Sequence, residues 1–303
     1  MSEFTSIIVG IDYSENSANA LREASRIANW NDAKLLCLHI FDEEIFGDFR
    51  DHDEFDESAV RAAALGHLQE FVATTIGAGH EIECQISVGH PFGEILSAIE
   101  ARGADLLVMG SQGQEMNASG RTGVLSSRCA RKAPVDVLLV RERQSEPFRN
   151  IVACVDFSEN SIRAAHHAAS IALQDKAALE LLHVYRPPVY IAPETGIFGP
   201  TCLPIDTREI KLALAQKLEQ LAEEVSASCG GCEIRTHIEE CAVVSGGIFR
   251  RLAEVGADIA VLGTRGRTGL RGFFTGTTAE QIIYRSPCSA LAVKPEGFLY
   301  KLG

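Results

Sequence analysis

Basic residues are scarce in this chain. Lysine and arginine number 28 against 41 aspartates and glutamates in 303 residues, a net charge of −13. Such a field repels polyanions, which argues against sequence-independent binding to nucleic acid or to an anionic membrane surface. Any phosphate group has to be held by local donors. Long apolar runs are also missing: none reaches the roughly 20 residues that a bilayer-spanning helix needs. The opening residues MSEFTSIIVGIDYS lack the basic region and apolar stretch of a secretory leader. Nine cysteines occur, at positions 37, 84, 129, 154, 202, 229, 232, 241 and 288. The number is odd, and Cys37 and Cys154 lie inside apolar runs, where a thiol behaves as a small hydrophobe. That pattern favours a reducing compartment over a disulfide framework, so a cytoplasmic protein is expected. With 46% apolar and 23% charged residues the composition is globular, and the length suffices for two domains.

What the chain does contain is written twice. IIVGIDYSENSANALREASRIANWNDAKLLCLHI (7–40) aligns without gaps on IVACVDFSENSIRAAHHAASIALQDKAALELLHV (151–184). Asp12 falls on Asp156, and His39 on His183. Further on, GADLLVMGSQG (103–113) falls on GADIAVLGTRG (256–266), with a longer middle in the second copy. Each copy alternates short apolar runs with amphipathic stretches. In the second copy NIVACVD, LELLHVY, DIAVLG and CSALAV read as buried strands, and CEIRTHI as a more polar edge strand. SIRAAHHAASIALQ, capped by Ser158 or Asn160, reads as a helix. So does REIKLALAQKLEQLAEEVSAS, in which Leu214, Leu218, Leu221 and Val225 recur at helical spacing. SGGIFRRLAEVG, ended by Gly256, and TTAEQIIYRS are two more. Alternating strands and helices imply right-handed crossovers and a parallel sheet covered on both faces. Residues 1–143 and 149–296 are the expected domains, joined across the charged, aperiodic RERQSEPFRN. Pairing of 137–140 with 290–293 would bury two sheet edges and make an internal pseudo-dimer. Association of two whole chains into a homodimer is a further option.

In an open parallel sheet, ligands bind beyond the carboxyl ends of the strands. VLGTRGRTGLRGFFTGTT (261–278) lies there. Gly263 ends a strand, and the missing side chain is expected to let a ligand approach the backbone. Gly276 and Thr277 open the last helix, whose free N–H groups and positive dipole end suit a phosphate. Arg265, Arg267 and Arg271 add charge. The first copy, VMGSQGQEMNASGRTGVL (108–125), keeps the glycine spacing but has Val124 for Thr277, Gln112 and Gln114 for Arg265 and Arg267, and adds Glu115. Losing one hydrogen bond to a charged group costs roughly 1.5–3 kcal/mol, so the second site is expected to fill first.

The spacing G-x2-G-x9-G-[ST], with the early Asp and the LHV strand, resembles the ATP-binding branch of the universal stress protein family. The tandem arrangement resembles its two-domain members. The resemblance covers nearly the whole chain. It implies two doubly wound, Rossmann-like α/β domains, each a five-stranded parallel sheet of order 3-2-1-4-5 with helices on both faces. It also implies a nucleotide site made by Asp156 at the base or ribose, Val184, Leu262 and Gly263 along the adenine, and Gly266, Gly276, Thr277, Thr278 and Arg265 around the phosphates. The weaker counterpart would be Asp12, Ile40, Met109, Gly110, Gly113 and Gly123. The implied ligand is ATP or another adenine nucleotide, with or without Mg, and the implied role is stress-response regulation or sensing through a protein partner not identified by the sequence. No nucleophile, base and orienting group form a catalytic constellation, which leaves weak ATP hydrolysis at most. Two other readings stay open: an ATP-using enzyme of related α/β fold, and an interaction scaffold whose first pocket is empty or apolar.

Several motifs have plainer readings. Asp12 and Asp156 can order the turn before a helix as well as touch a ligand. His39 and His183 read as hydrogen-bonded structural residues. CGGC (229–232) follows a helix and precedes a strand, so it lacks the helix N-terminus that activates a redox thiol and reads as a helix stop. SGG (245–247) lacks the Asp-Ser of a pyrophosphatase loop. DEEIFGDFRDHDEFDE (42–57) reads as a solvated acidic loop beside the first pocket. The proline-rich 186–207 reads as a lid or a packing loop.

Overall fold

The computed structural model describes residues 4–43, 56–77, 82–112, 122–141, 147–187, 189–191, 202–204, 206–230, 232–265 and 277–298. The first half runs β1 (Ser6–Gly10), α1 (Glu15–Asn31), β2 (Lys34–Phe41), α2 (Glu57–Ile76), β3 (Glu83–Val88), α3 (Pro91–Arg102), β4 (Leu106–Gly110), α4 (Val124–Lys132) and β5 (Asp136–Val140). The second runs β6 (Asn150–Cys154), α5 (Glu159–Asp175), β7 (Ala178–Tyr185), a short hairpin β8 (Val189–Ile191) and β9 (Cys202–Pro204), α6 (Arg208–Ser228), β10 (Ile234–Glu240), α7 (Val244–Glu254), β11 (Ile259–Gly263), α8 (Thr277–Arg285) and β12 (Ser289–Val293). The hairpin gives the 186–207 stretch structure of its own, which the sequence reading did not foresee.

Successive residues of a strand point to opposite faces, and both faces here are covered. Ile7 and Val9 belong to one apolar layer that runs through both halves and includes Leu21 of α1, Leu68 of α2, Ala164 of α5 and Leu218 of α6. Ile8 belongs to a second layer, which includes Ile95 of α3, Cys129 of α4, Ile248 of α7 and Ile282 of α8. That double burial explains why the strands read as unbroken apolar runs. Ten strands form one sheet in the order β10-β7-β6-β11-β12-β5-β4-β1-β2-β3. Each half therefore has the expected 3-2-1-4-5 order, and the polar β10 is an edge.

The halves meet where β12 runs antiparallel to β5, with Ala290, Leu291 and Ala292 opposite Leu139, Leu138 and Val137. The seam is pseudo-symmetric: Lys294 N–H donates to Asp136 Oδ1 (2.7 Å) and Arg141 N–H to Ser289 Oγ (3.2 Å). Thr122 donates through Oγ1 to Ile283 O (2.7 Å) and through its N–H to Tyr284 O (3.1 Å), placing the first half against the end of α8. Arg26 of α1 pairs with Asp175 at the end of α5, whose other oxygen accepts from Phe148 N–H (2.7 Å). No helix among the described residues is long and apolar enough to cross a membrane.

Candidate functional site

The strand order reverses beside β1 and β4, and again beside β6 and β11, so each half has a crevice at the carboxyl ends of those strands. One turn shapes both crevices. Asp12 Oδ1 accepts from the Ser14 N–H (3.0 Å) and hydroxyl (2.5 Å), and Ser14 Oγ caps α1 by accepting from Ser17 N–H (3.1 Å). Asp156 and Ser158 repeat the arrangement at 3.0 and 2.5 Å, with Ser158 capping α5. Between Asp and Ser the chain passes through left-handed backbone at Tyr13 (φ 61°) and Phe157 (φ 62°), a conformation costly for a bulky side chain. The structure holds it from behind. His39 Nδ1 lies 2.8 Å from Ile11 O, and His183 Nδ1 lies 2.7 Å from Val155 O. A carbonyl only accepts, so Nδ1 carries the proton. Each ring also lies against its neighbouring aromatic, His39 on Tyr13 and His183 on Phe157, at 4.7 Å between centroids. Burial pushes the His39 pKa down. These histidines position the turn.

Gly110 and Gly263 are closely packed on the side where a Cβ would stand. A Cβ at Gly263 would lie 2.8 Å from Asn160 Nδ2 and 2.9 Å from the Asn160 carbonyl carbon, and one at Gly110 would lie 2.9 Å from Asn16. On the Cβ side the vacant space is thus taken by the first turn of the helix that follows the neighbouring strand, α1 beside Gly110 and α5 beside Gly263. Asn160 Nδ2 in turn donates to Val293 O (3.1 Å), tying α5 to β12. Gly247 of the SGG motif is likewise a packing glycine: its Cβ would lie 2.7 Å from Val184 Cγ1. Val184 is therefore buried under α7, whereas its counterpart Ile40 is only half-buried. Leu262 and Met109 are both buried.

In the first half, Asp12, Ile40, Met109, Gly110 and Gly123 line one cavity of about 390 Å³, together with Gly10, His39 and Gln112. Its far wall includes Pro91 and Ile95 of α3, and no sequence signal marked them because they belong to a crossover helix in the amphipathic background. The cavity reaches the first turn of α4 at Val124, Leu125 and Ser126. That helix start has no side-chain cap and no acidic residue in its first turn. Gly123 N–H is bound to Ser111 O (2.7 Å), and Ser126 Oγ donates to Gly110 O (2.8 Å), anchoring the turn to the end of β4. Val124 is 83% exposed.

In the second half, Asp156 and Gly263 stand as their counterparts do. Arg265 is exposed, with its carbonyl 3.4 Å from Ser158 Oγ, so the loop after β11 starts beside the Asp156 turn. Thr278 is half-buried in the first turn of α8. Gly266, Arg267, Arg271 and Gly276, the side chain of Thr277, and in the first half Gly113, Gln114 and Glu115, lie outside the described residues. Among the described residues no three His, Cys, Asp or Glu side chains gather as a metal site.

A continuous α/β sheet built from two copies of one unit, each with its strand order reversing beside its first strand, defines a tandem Rossmann-like protein. A sequence model described as the universal stress protein family matches residues 3–141 and again 147–294. The chain belongs to the universal stress protein family, in tandem form. It is 26% identical over 316 residues to universal stress protein E of Photorhabdus laumondii, covering 98% of this chain and 97% of that one. A putative universal stress protein of Staphylococcus haemolyticus is 32% identical over 164 residues, 52% of this chain and 97% of its own length. Among solved structures, a universal stress protein from Archaeoglobus fulgidus superposes with a TM-score of 0.65 at 18% identity, covering 95% of this chain and 98% of that chain. A putative universal stress protein from Pseudomonas aeruginosa does so at 0.66 and 21%, covering 97% and 94%. Such low identities speak for the fold alone.

Proposed function

We propose that the chain binds an adenine nucleotide, ATP in the first instance, and acts in the stress response as a sensor or regulator. The observation that carries this reading is the convergence, on one crevice of about 390 Å³, of the Asp12 turn, the half-buried Ile40 and an uncapped helix start. An anionic ligand suits the helix start, and the apolar wall suits a flat base. The Asp turn recurs in the second half at Asp156, and in the aligned sequence Arg265 replaces Gln112 and Thr277 replaces Val124. On that chemistry the second site, with Asp156, Val184, Leu262, Gly263, Gly266, Gly276, Thr277 and Thr278, takes nucleotide before the first. Mg can accompany the phosphates without a protein-held cluster, since one carboxylate and the nucleotide's own oxygens suffice as ligands.

The test is mass analysis of small molecules released from freshly purified protein, followed by titration with ATP, ADP and AMP. Stoichiometric adenine nucleotide is expected, lost in Gly276→Val and retained in Gly123→Val. Absence of nucleotide on extraction together with absence of binding on titration would refute the reading. Two sites of equal affinity would refute the ranking. A scaffold reading draws on the first crevice alone, where the exposed Val124 and the neutral Gln112 weaken the case for a triphosphate. Steady turnover of added ATP would replace both with the enzyme reading.

A further inference from the structure

The Cys-Gly-Gly-Cys motif does end a helix, as its sequence position indicates, but the two thiols also meet. Cys229 is the C-cap of α6, its N–H donating to Val225 O (3.2 Å). Gly230 then takes left-handed backbone at φ 90°. This turns the chain so that Cys232, two residues before β10, has its Sγ 2.7 Å from Cys229 Sγ. A covalent S–S bond is about 2.05 Å long, so only a small approach separates the pair from a disulfide. The turn is held on both sides: Ser226 Oγ donates to Cys232 O (2.7 Å), and Cys229 Sγ lies 3.4 Å from Ser226 O. Both side chains are half-buried against the core layer beneath α6. Neither is as inaccessible as Cys37, which is fully buried. Among the described residues no third metal-ligating side chain joins them, which leaves structural zinc, normally four-ligand, without its set.

We propose that Cys229 and Cys232 form a two-electron redox pair that closes to a disulfide when the protein meets a peroxide. The Cys229 thiolate attacks one peroxide oxygen and breaks the O–O bond, giving a sulfenic acid and hydroxide. The hydroxide takes up the proton that the thiol released. The Cys232 sulfur then attacks the sulfenic sulfur and forms the S–S bond, and the hydroxyl leaves as water with the Cys232 proton. Two thiols are oxidised by two electrons and one hydrogen peroxide is reduced to two waters. Burial and the facing thiol push the Cys232 pKa up to about 12, so Cys232 keeps its proton and the first attack on peroxide falls to Cys229. The helix C-terminus also withholds the thiolate stabilisation that makes helix-N-terminal pairs easily reduced, so the disulfide persists once made. Its effect is to lock the end of α6 to the start of β10, an edge strand of the sheet.

The full-length protein is expected to lose two mass units on treatment with hydrogen peroxide and, after alkylation of the remaining thiols and digestion, to yield a peptide crosslinked between Cys229 and Cys232. Cys229→Ser and Cys232→Ser, each checked for a native circular dichroism spectrum, are expected to lose that crosslink. Amide exchange at the end of α6 is expected to slow in oxidised wild type only. Free alkylated thiols at both positions after peroxide treatment, or a disulfide mapped to another pair while these two stay reduced, would overturn the proposal. Because the pair lies outside both crevices, nucleotide extraction from the same samples keeps this result separate from the binding reading.

Discussion

Lys294 offers the most demanding test of the seam between the halves. It is 2% exposed, its Nζ donates to Ala130 O, and the centroid of the Phe298 ring lies 5.4 Å from that nitrogen. Burial pulls its pKa down to about 7, with Asp136 and Cys129 opposing the shift. In the unfolded chain a lysine holds its proton to about pH 10.4. Between those two values the unfolded chain carries one proton more than the folded one, so raising the pH favours the folded state. The gain is about 1.4 kcal/mol per pH unit within that window and approaches 5 kcal/mol across it. Below about pH 7 both states are protonated and the contribution is flat. Urea unfolding of wild type and Lys294→Met from about pH 6 to about pH 9.5 reads the effect of the lysine together with its coupling to Asp136, while titrating groups remote from it cancel in the difference. The difference in stability, wild type minus variant, is expected to climb with pH above neutrality and to be level below it. A difference independent of pH would mean that the ammonium is hydrated in the folded protein, and the burial argument would fail.

Two further substitutions test packing. Gly263→Ala forces a Cβ against the backbone of Asn160 and is expected to cost about 1–3 kcal/mol, whereas Gly66→Ala, in α2 with open space around it, is expected to gain about 0.5–1 kcal/mol. Equal melting temperatures for the two variants would refute the close approach. Arg26→Met leaves Asp175, whose side chain is 1% exposed, without its guanidinium, and a loss of about 3–5 kcal/mol is expected in urea unfolding. The same guanidinium lies 3.8 Å over the ring of Trp30, the only tryptophan, so a changed emission spectrum should accompany the loss, and an unchanged unfolding midpoint would count against the pair.

Much of this architecture could be read along the chain, because it rests on local rules. Ser14 and Ser158 announce helix starts through a hydroxyl that satisfies a nearby N–H. The helical spacing of Leu218, Leu221 and Val225 identifies the buried face of α6. Unbroken runs such as Ile7–Val9 mark strands covered on both faces, and the repeat of Asp12 on Asp156 marks a doubled unit. Even the β5–β12 seam follows from two apolar edges that have to be covered. Other features have no local signature. A glycine after a strand looks the same whether it admits a ligand or a neighbouring helix, and only the path of α5 past β11 makes Gly263 a seat for Asn160. Arg26 and Asp175 stand 149 positions apart, Thr122 and Ile283 161 apart. Pro91 and Ile95 enter the crevice because a right-handed crossover carries α3 over it. The facing of Cys229 and Cys232 depends on the turn at Gly230. Periodicity and capping act over a few residues and are written in order along the chain. Which distant side chains share a space is settled only when the helices pack on the sheet, since close packing admits one arrangement of volumes that the linear order does not record.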